Sequence, residues 1–271
     1  MNPENLAVFS AVHEAQQTYT PIALATVIAT HGSMPRHAGS KMVIYADGRI
    51  VGTVGGGAME ARVIETGQQA ILDGQPRLES YTLNNLAAGD PGVCGGTAQI
   101  FVEPLGYPMT VLVIGAGHVG KALAGLAKWS GYRVVLVDDR ADLCHPNAVP
   151  DLDGYIVCDP ARITDELDIQ PHTYIAAVTR GLPVDLKLIP ALLKSPSRYI
   201  GLIGSQRRWE LTRRALLEQG EREADLQRIH APIGLELEAE TPTEIAVSIL
   251  AEMIMVYRGG TGKPMRLAHQ S

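Results

Sequence analysis

Three features of the sequence point to its fold class. A glycine loop, Gly115-Ala116-Gly117-His118-Val119-Gly120, sits between the apolar stretch Val111–Ile114 and a helix-forming segment. From Thr110 onward, near-continuous apolar stretches alternate with helical ones. Before Glu103 the pattern differs, with an opening helix and then β-rich stretches punctuated by glycine. Together these predict an α/β protein. A small α+β domain over residues 1–106 is followed, over residues 107–271, by a Rossmann-like domain with a doubly wound parallel sheet and a C-terminal helix.

The elements can be justified in order. Pro3 to about Thr18 places Leu6, Phe9 and Val12 or His13 at helical spacing, which predicts a helix buried along that side. Pro21 opens a strand over Ile22–Ala29. Lys41–Tyr45 and Arg49–Val54 flank the turn Ala46-Asp47-Gly48 and predict a hairpin. A helix over Ala58–Leu72 stops at Asp73-Gly74, and strands follow near Leu78–Leu83 and Ala98–Val102. The two prolines and the glycine of Glu103–Pro108 predict a linker that breaks any regular element. Beyond it, strands are expected at Thr110–Ile114, Arg133–Val137, Tyr155–Cys158, Tyr174–Val178 and Tyr199–Ile203. Continuous apolar strands of this kind imply a parallel sheet covered on both faces. Thr241-Pro242-Thr243-Glu244 combines an N-cap, a proline at the first helical position and a capping-box glutamate, so a helix runs on to Tyr257 and ends at Gly259.

Composition narrows the function. The net charge of −6 is spread without a basic stripe, which argues against nucleic acid or an anionic membrane surface as partner. No apolar run approaches the roughly 20 residues that span a bilayer, and no leader pattern is visible at Met1–Asn5. Three cysteines, an odd number in a chain this long, suit a reducing compartment, so a cytoplasmic protein is expected. There is no C-x-x-C and no H-E-x-x-H, so no dedicated zinc site is expected.

The glycine loop carries the most specific chemistry. Gly115 suits the tight turn, Gly117 the close approach of a pyrophosphate, and Gly120 the packing of helix on strand, with free N–H groups at the helix start for phosphate oxygens. His118 lies within the loop and faces either ligand or solvent. About 20 residues on, an acid normally takes the ribose hydroxyls. Asp138 is the better-placed candidate and Asp139 the second, while Arg140 suits a 2′-phosphate. NAD and NADP therefore both stay open, with NAD favoured. Gly204, Ser205, Arg207 and Arg208 leave the fifth strand at its carboxyl end, where such folds place ligands, and the two arginines either bind phosphate or simply start a charged helix.

Three further clusters lie in the first domain. Ser33, Arg36 and Lys41, in the segment Gly32–Met42, offer a hydroxyl and two cations to an anion, or form a solvated loop. Gly55, Gly56 and Gly57 before Glu60 form either an anion-binding turn at a helix start or a steric device for close packing. Cys94, followed by Gly95-Gly96, is the candidate sulfur carrier, nucleophile or soft-metal ligand, against the alternative of a buried thiol. Cys144 and Cys158 read as structural.

In this order the segments resemble the xanthine dehydrogenase accessory factor family (XdhC/CoxI). They are Gly32-Ser33-Met34-Pro35-Arg36 with Gly39 and Lys41-Met42, Gly52–Gly57 with Glu60, Cys94-Gly95-Gly96, Gly115–Gly120, Asp138-Asp139-Arg140, Tyr199–Ser205, Pro232–Leu235 and Thr241–Ala246. The resemblance covers nearly the whole chain. It implies a cofactor-binding chaperone more than a catalyst, one that binds the molybdenum cofactor (molybdopterin or its nucleotide form). It also implies help with the cofactor's sulfuration and insertion into a xanthine dehydrogenase-type molybdoenzyme. A cysteine desulfurase and a second copy of the chain, as a homodimer, would be further partners. One departure is Thr179-Arg180-Gly181, where the family pattern has a Thr-His-Asp-like stretch. The competing readings are an NAD(P)-dependent oxidoreductase, disfavoured by the lack of a Tyr-x-x-x-Lys pair, and a nucleotide-sensing regulatory module.

Overall fold

A computed structural model describes residues 3–18, 20–82, 96–105 and 109–265. The chain divides into two compact units, Met1–Tyr107 and Pro108–Ser271. The first contains α1 (Pro3–Gln17), β1 (Ile22–His31), β2 (Lys41–Tyr45), β3 (Ile50–Gly52), α2 (Gly57–Asp73), β4 (Arg77–Thr82) and β5 (Thr97–Leu105). Its strands form one antiparallel sheet in the order β3-β2-β1-β5-β4. Alternation along each strand sends one set of side chains to each face. Ala23, Ala25, Val27, Met42, Ile44, Ile100 and Val102 pack with Met59, Val63 and Ala70 of α2. A methyl on Gly67 would come within 2.4 Å of the Ile44 side chain, so this glycine sets how closely α2 lies on β2. Gly74, at φ 71°, ends the helix in the left-handed conformation that its sequence predicts.

Two expectations are corrected here. On α1 the buried side is Val8, Ala11 and Ala15, packed with Ile22, Leu24 and Val43, whereas Leu6 and Phe9 are 59% and 45% exposed. Both sets have helical spacing. The small alanines win because they let the helix sit close on the sheet. The expected linker also begins later than Glu103, since β5 runs through Pro104 to Leu105, paired with Ala23 and Ile22 of β1, and residues 106–108 lie outside the described residues. Its pairing with β4 ends at Val102. Pro104 therefore lies where one edge of the strand has no partner, the position in a sheet that tolerates a missing N–H.

The second unit contains β6 (Thr110–Ile114), α3 (His118–Trp129), β7 (Arg133–Asp138), β8 (Gly154–Val157), α4 (Ile163–Glu166), β9 (Thr173–Ala177), α5 (Leu182–Leu193), β10 (Tyr199–Leu202), α6 (Gln206–Glu218), α7 (Glu223–Leu226), β11 (Ile229–His230) and α8 (Pro242–Arg258). The sheet order is β11-β10-β9-β6-β7-β8 and every pairing is parallel. This is the doubly wound Rossmann order, with its switch point between β6 and β9. Val111, Val113, Leu136 and Ala176 face α3 and α8, while Leu112, Ile114, Ile175 and Leu202 face α5 and α6. The two-residue β11 is too short to show a period in the sequence. Thr241 and Glu244 form the expected capping box of α8.

A buried polar cluster ties α8 to the edge of this sheet. Tyr199 Oη donates to Glu252 Oε2 at 2.6 Å, and the Gly234 N–H donates to the same oxygen at 2.7 Å. His230 Nδ1 lies 2.9 Å from Glu252 Oε1, and its ring packs against that of Tyr199 with centroids 4.5 Å apart and planes tilted by 35°. Burial raises the Glu252 pKa, but the hydrogen bonds from His230, Tyr199 and Gly234 outweigh it and hold the carboxyl below its usual range. Among the described residues, no helix is long and apolar enough to cross a membrane.

Candidate functional site

At the carboxyl ends of β6, β7 and β9 the second unit encloses a cavity of about 440 Å³. Gly115, Gly117, His118, Gly120, Asp138, Asp139 and Arg140 line it. Its size is within the roughly 300–1,000 Å³ of small-molecule and cofactor sites. The three loop glycines differ in why a side chain is missing. A Cβ on Gly115 would meet the Val178 carbonyl oxygen at 2.5 Å, and one on Gly120 would meet the Gly115 carbonyl oxygen at 1.8 Å, so both are packing requirements. A Cβ on Gly117 would meet nothing within 4 Å. The glycine there leaves open space at the start of α3, where unpaired N–H groups and the helix dipole favour an anion. His118 is exposed and lines the same cavity.

The acid at the end of β7 is arranged differently from the sequence expectation. Asp138 is 3% exposed, and its two oxygens accept four hydrogen bonds. Ala116 N and Arg140 Nη2 reach Oδ2 at 2.6 and 2.8 Å, while Arg140 N and Nε reach Oδ1 at 2.9 and 2.8 Å. A carboxylate has about four acceptor positions, so all of them are in use. Burial raises the pKa, but the Arg140 guanidinium and the Ala116 amide more than reverse that and keep the group ionised. Asp138 thus braces the glycine loop and engages Arg140. Asp139, exposed beside it and paired with Arg180, is the acid with capacity for a ligand hydroxyl.

On the other side of the switch point lies a group that includes Arg208 and Thr179, both at the strand ends where the sequence places ligands, together with Asp185, which the sequence reading omits. Arg208, in the first turn of α6, lines the cavity and is bonded to Asp185 and Thr179. Arg207 is exposed, Ser205 caps α6 by accepting from Arg208 N, and neither lines the cavity. Gly204 likewise is not a lining residue. The signal that could have singled out this group is Asp185, a lone acid in the apolar segment Leu182–Leu193.

The glycine-rich segments of the first unit come together. A Cβ on Gly96 would lie 2.2 Å from the Ser33 carbonyl oxygen, and one on Gly55 would lie 3.4 Å from Pro35, so both meet the loop that follows β1. A second cavity of about 370 Å³ is lined by Pro35–Lys41 with Asn5 and Thr53. Arg36 and Lys41 both line it, and Lys41 Nζ donates to Thr26 Oγ1 at 3.1 Å. Ser33 is exposed and outside this lining. Gly56, at φ 97°, caps α2 without a side chain, and Gly57 begins the helix. Glu60 folds back to accept the Thr53 hydroxyl and the Val54 N–H (3.3 Å), so it holds the glycine turn. Cys94 lies outside the described residues. Of the two cysteines within them, Cys144 is buried with Sγ 3.3 Å from the Leu136 carbonyl oxygen, and Cys158 is half-buried. Among the described residues, no group of three or more His, Cys, Asp or Glu side chains gathers as a metal site.

Fold and site therefore define a two-domain protein whose second domain is a Rossmann fold with a cavity at its switch point. Residues 111–253 match the XdhC Rossmann domain and residues 15–82 match the XdhC and CoxI family, and the chain belongs to this family. The uncharacterized protein YqeB of Escherichia coli K12 is 33% identical over 257 residues, covering 94% of this chain and 47% of YqeB. A probable xanthine dehydrogenase subunit of Bacillus subtilis is 32% identical over 158 residues, covering 58% of this chain and 46% of its own. The chain spans about half the length of each of these two relatives. The molybdenum cofactor insertion chaperone PaoD of E. coli K12 is 23% identical over 269 residues, covering 86% of this chain and 82% of PaoD.

Proposed function

We propose that this chain binds the molybdenum cofactor and acts as an accessory factor in the maturation of a xanthine dehydrogenase-type molybdoenzyme. Membership of the XdhC family supports the accessory role, and similarity to an insertion chaperone supports the choice of cofactor. The structural observation that carries the reading is Gly117. It is the one loop glycine whose missing side chain serves open space in a cavity, at a helix N-terminus suited to phosphate. Molybdopterin bears a phosphate and its dinucleotide form a pyrophosphate. The Rossmann cavity suits the dinucleotide form, with the pyrophosphate at Gly117 and the α3 N-terminus and a ribose hydroxyl at Asp139. The first-unit cavity, with Arg36 and Lys41, independently suits a phosphate.

When bound, the cofactor supplies the molybdenum centre used by the target enzyme. In this reading the chain's own groups bind and shield the cofactor. Help with sulfuration, a cysteine desulfurase as partner, a homodimer and a cytoplasmic location belong to the same reading and rest on the family resemblance. So does contact of Cys94 with molybdenum or sulfur. A second reading, an NAD(P)-binding oxidoreductase or sensor, draws on the same glycine loop. Anaerobic purification of the full chain from a cofactor-producing host, denaturation and mass spectrometry of the released molecules separate the two. Pterin together with molybdenum is the expected result, whereas NAD(H) or NADP(H) alone would replace the first reading with the second.

A further inference from the structure

Arg208 lines the Rossmann cavity and is held in place by several other residues. Arg208 Nε and Nη2 both donate to Asp185 Oδ2, at 2.9 and 2.7 Å, and Nη2 also reaches Thr179 Oγ1 at 2.8 Å. The Thr179 hydroxyl donates in turn to Asp185 Oδ1. Asp185 is 0% exposed and Thr179 8%. A Cβ on Gly204 would come 2.8 Å from Arg208 Cδ, so that glycine clears the path of the arginine stem. Three positions thus orient one guanidinium.

A buried ion pair is poor value for stability alone, because apolar residues of similar volume often serve as well or better. What this one provides is orientation. The Nη1 group has a single long contact, to the Thr179 carbonyl oxygen at 3.4 Å, and keeps donor capacity in a side chain that lines the cavity. Asp185 balances the charge, so such a group acts through directed N–H donors at contact range and not through a long-range field. Its place in the fold is also specific. Asp139 stands at the end of β7, on one side of the β6/β9 switch point, and Arg208 follows β10 on the other. A dinucleotide lying across the switch point puts one half on each side.

We propose that Arg208 anchors an anionic group on the second half of the ligand, the half lying toward β9 and β10 and away from Asp139. This rests on the reading of the cavity as a dinucleotide site. Two probes of the same shape test it, NAD and nicotinic acid adenine dinucleotide, which differ by a carboxamide against a carboxylate on the second ring. Calorimetric titration into the full chain should show the acid form binding about tenfold more tightly, as expected for a charge-assisted contact. Arg208→Gln should abolish that preference, bringing the affinities for the two dinucleotides within about twofold of each other. Arg214→Gln, an exposed position on the same helix, should change neither.

Because Arg208→Gln strands the Asp185 carboxylate, the double variant Asp185→Asn/Arg208→Gln removes both charges together and should lose the preference in the same way. Equal affinity for the two dinucleotides in the unsubstituted chain, or a preference that survives both variants, would overturn the anchor and leave the dinucleotide site standing. Failure of both dinucleotides to bind the unsubstituted chain would overturn the anchor and the reading of the cavity as a general dinucleotide site, while the molybdenum-cofactor reading stands or falls on the molecules released from the purified protein.

Discussion

Gly117 and Gly120 stand three residues apart in one loop, and the same alanine substitution should act on them in opposite ways. At Gly120 the new methyl would lie 1.8 Å from the Gly115 carbonyl oxygen, a backbone atom with no flexible end to give way. Helix α3 would have to retreat from β6 to make room. Overpacking of this kind costs about 1–3 kcal/mol, of which the better helix propensity of alanine returns roughly 1 kcal/mol at most. A 1.8 Å approach to backbone puts the cost in the upper part of that range, about 2–3 kcal/mol, so the net loss is about 1–2 kcal/mol and would lower the melting temperature of a domain this size by about 2–8 °C. At Gly117, φ −72° and ψ −171° suit any residue and a methyl meets nothing within 4 Å. Gly117→Ala should melt at the wild-type temperature or slightly above, since alanine restricts the unfolded chain. Its methyl would occupy the approach of the phosphate, so ligand affinity should fall at least tenfold, about 1.4 kcal/mol. Thermal unfolding by circular dichroism, beside titration with the ligand released from the purified protein, reads both quantities. The reasoning fails if Gly117→Ala binds like wild type, or if Gly120→Ala melts like it.

Three other outcomes are expected. Glu252→Ala leaves the Tyr199 hydroxyl and the Gly234 amide without their acceptor and should cost about 2–4 kcal/mol in urea unfolding; Tyr199→Phe, which removes one donor, should cost about 1 kcal/mol, and equal losses would contradict the network. Burial, with Arg133 and Arg198 nearby, depresses the His172 pKa to about 4, so this group is neutral in the folded chain at pH values where the unfolded chain protonates it. Folding stability should therefore be fully present above about pH 6.5 and decline as the pH falls towards 4, and His172→Gln should flatten that decline; an unchanged slope would assign it to other groups. Cys94→Ala should lose molybdenum or sulfur from the purified chain while retaining nucleotide affinity, and retention of both by the variant would remove Cys94 from the proposed chemistry.

The second domain was the more legible of the two. Buried parallel strands must be apolar on both faces, so β6, β7 and β9 appear as unbroken runs, and the capping box at Thr241 and Glu244 is a local device that needs no tertiary partner. The side of α1 that is buried was not legible, because Leu6 with Phe9 and Val8 with Ala11 satisfy the same helical spacing. Pro104 reads as a breaker in isolation, and only the end of β4 pairing at Val102 makes it harmless in a strand. In the site, the steric roles of Gly115 and Gly120 could be read from the loop itself, but the roles of its partners could not. Asp138 and Asp139 are adjacent acids in the sequence, and folding commits one to the loop amide and Arg140 while leaving the other at the cavity.

Local chemistry, in the form of spacing, capping and glycine placement, is enough to specify a Rossmann domain following a smaller α+β segment in the chain and to locate the glycine loop, because each of those signals operates within a few residues. Arg208 over Arg207, Asp139 over Asp138, and the approach of Gly55 and Gly96 to the loop after β1 depend on distant segments meeting. Arg208 finds Asp185 23 residues away, and the Ala116 amide finds Asp138 22 residues away. Which polar groups are consumed by each other and which are left for a ligand is settled only when those segments are packed together, since a hydrogen bond between them has no counterpart in either segment alone.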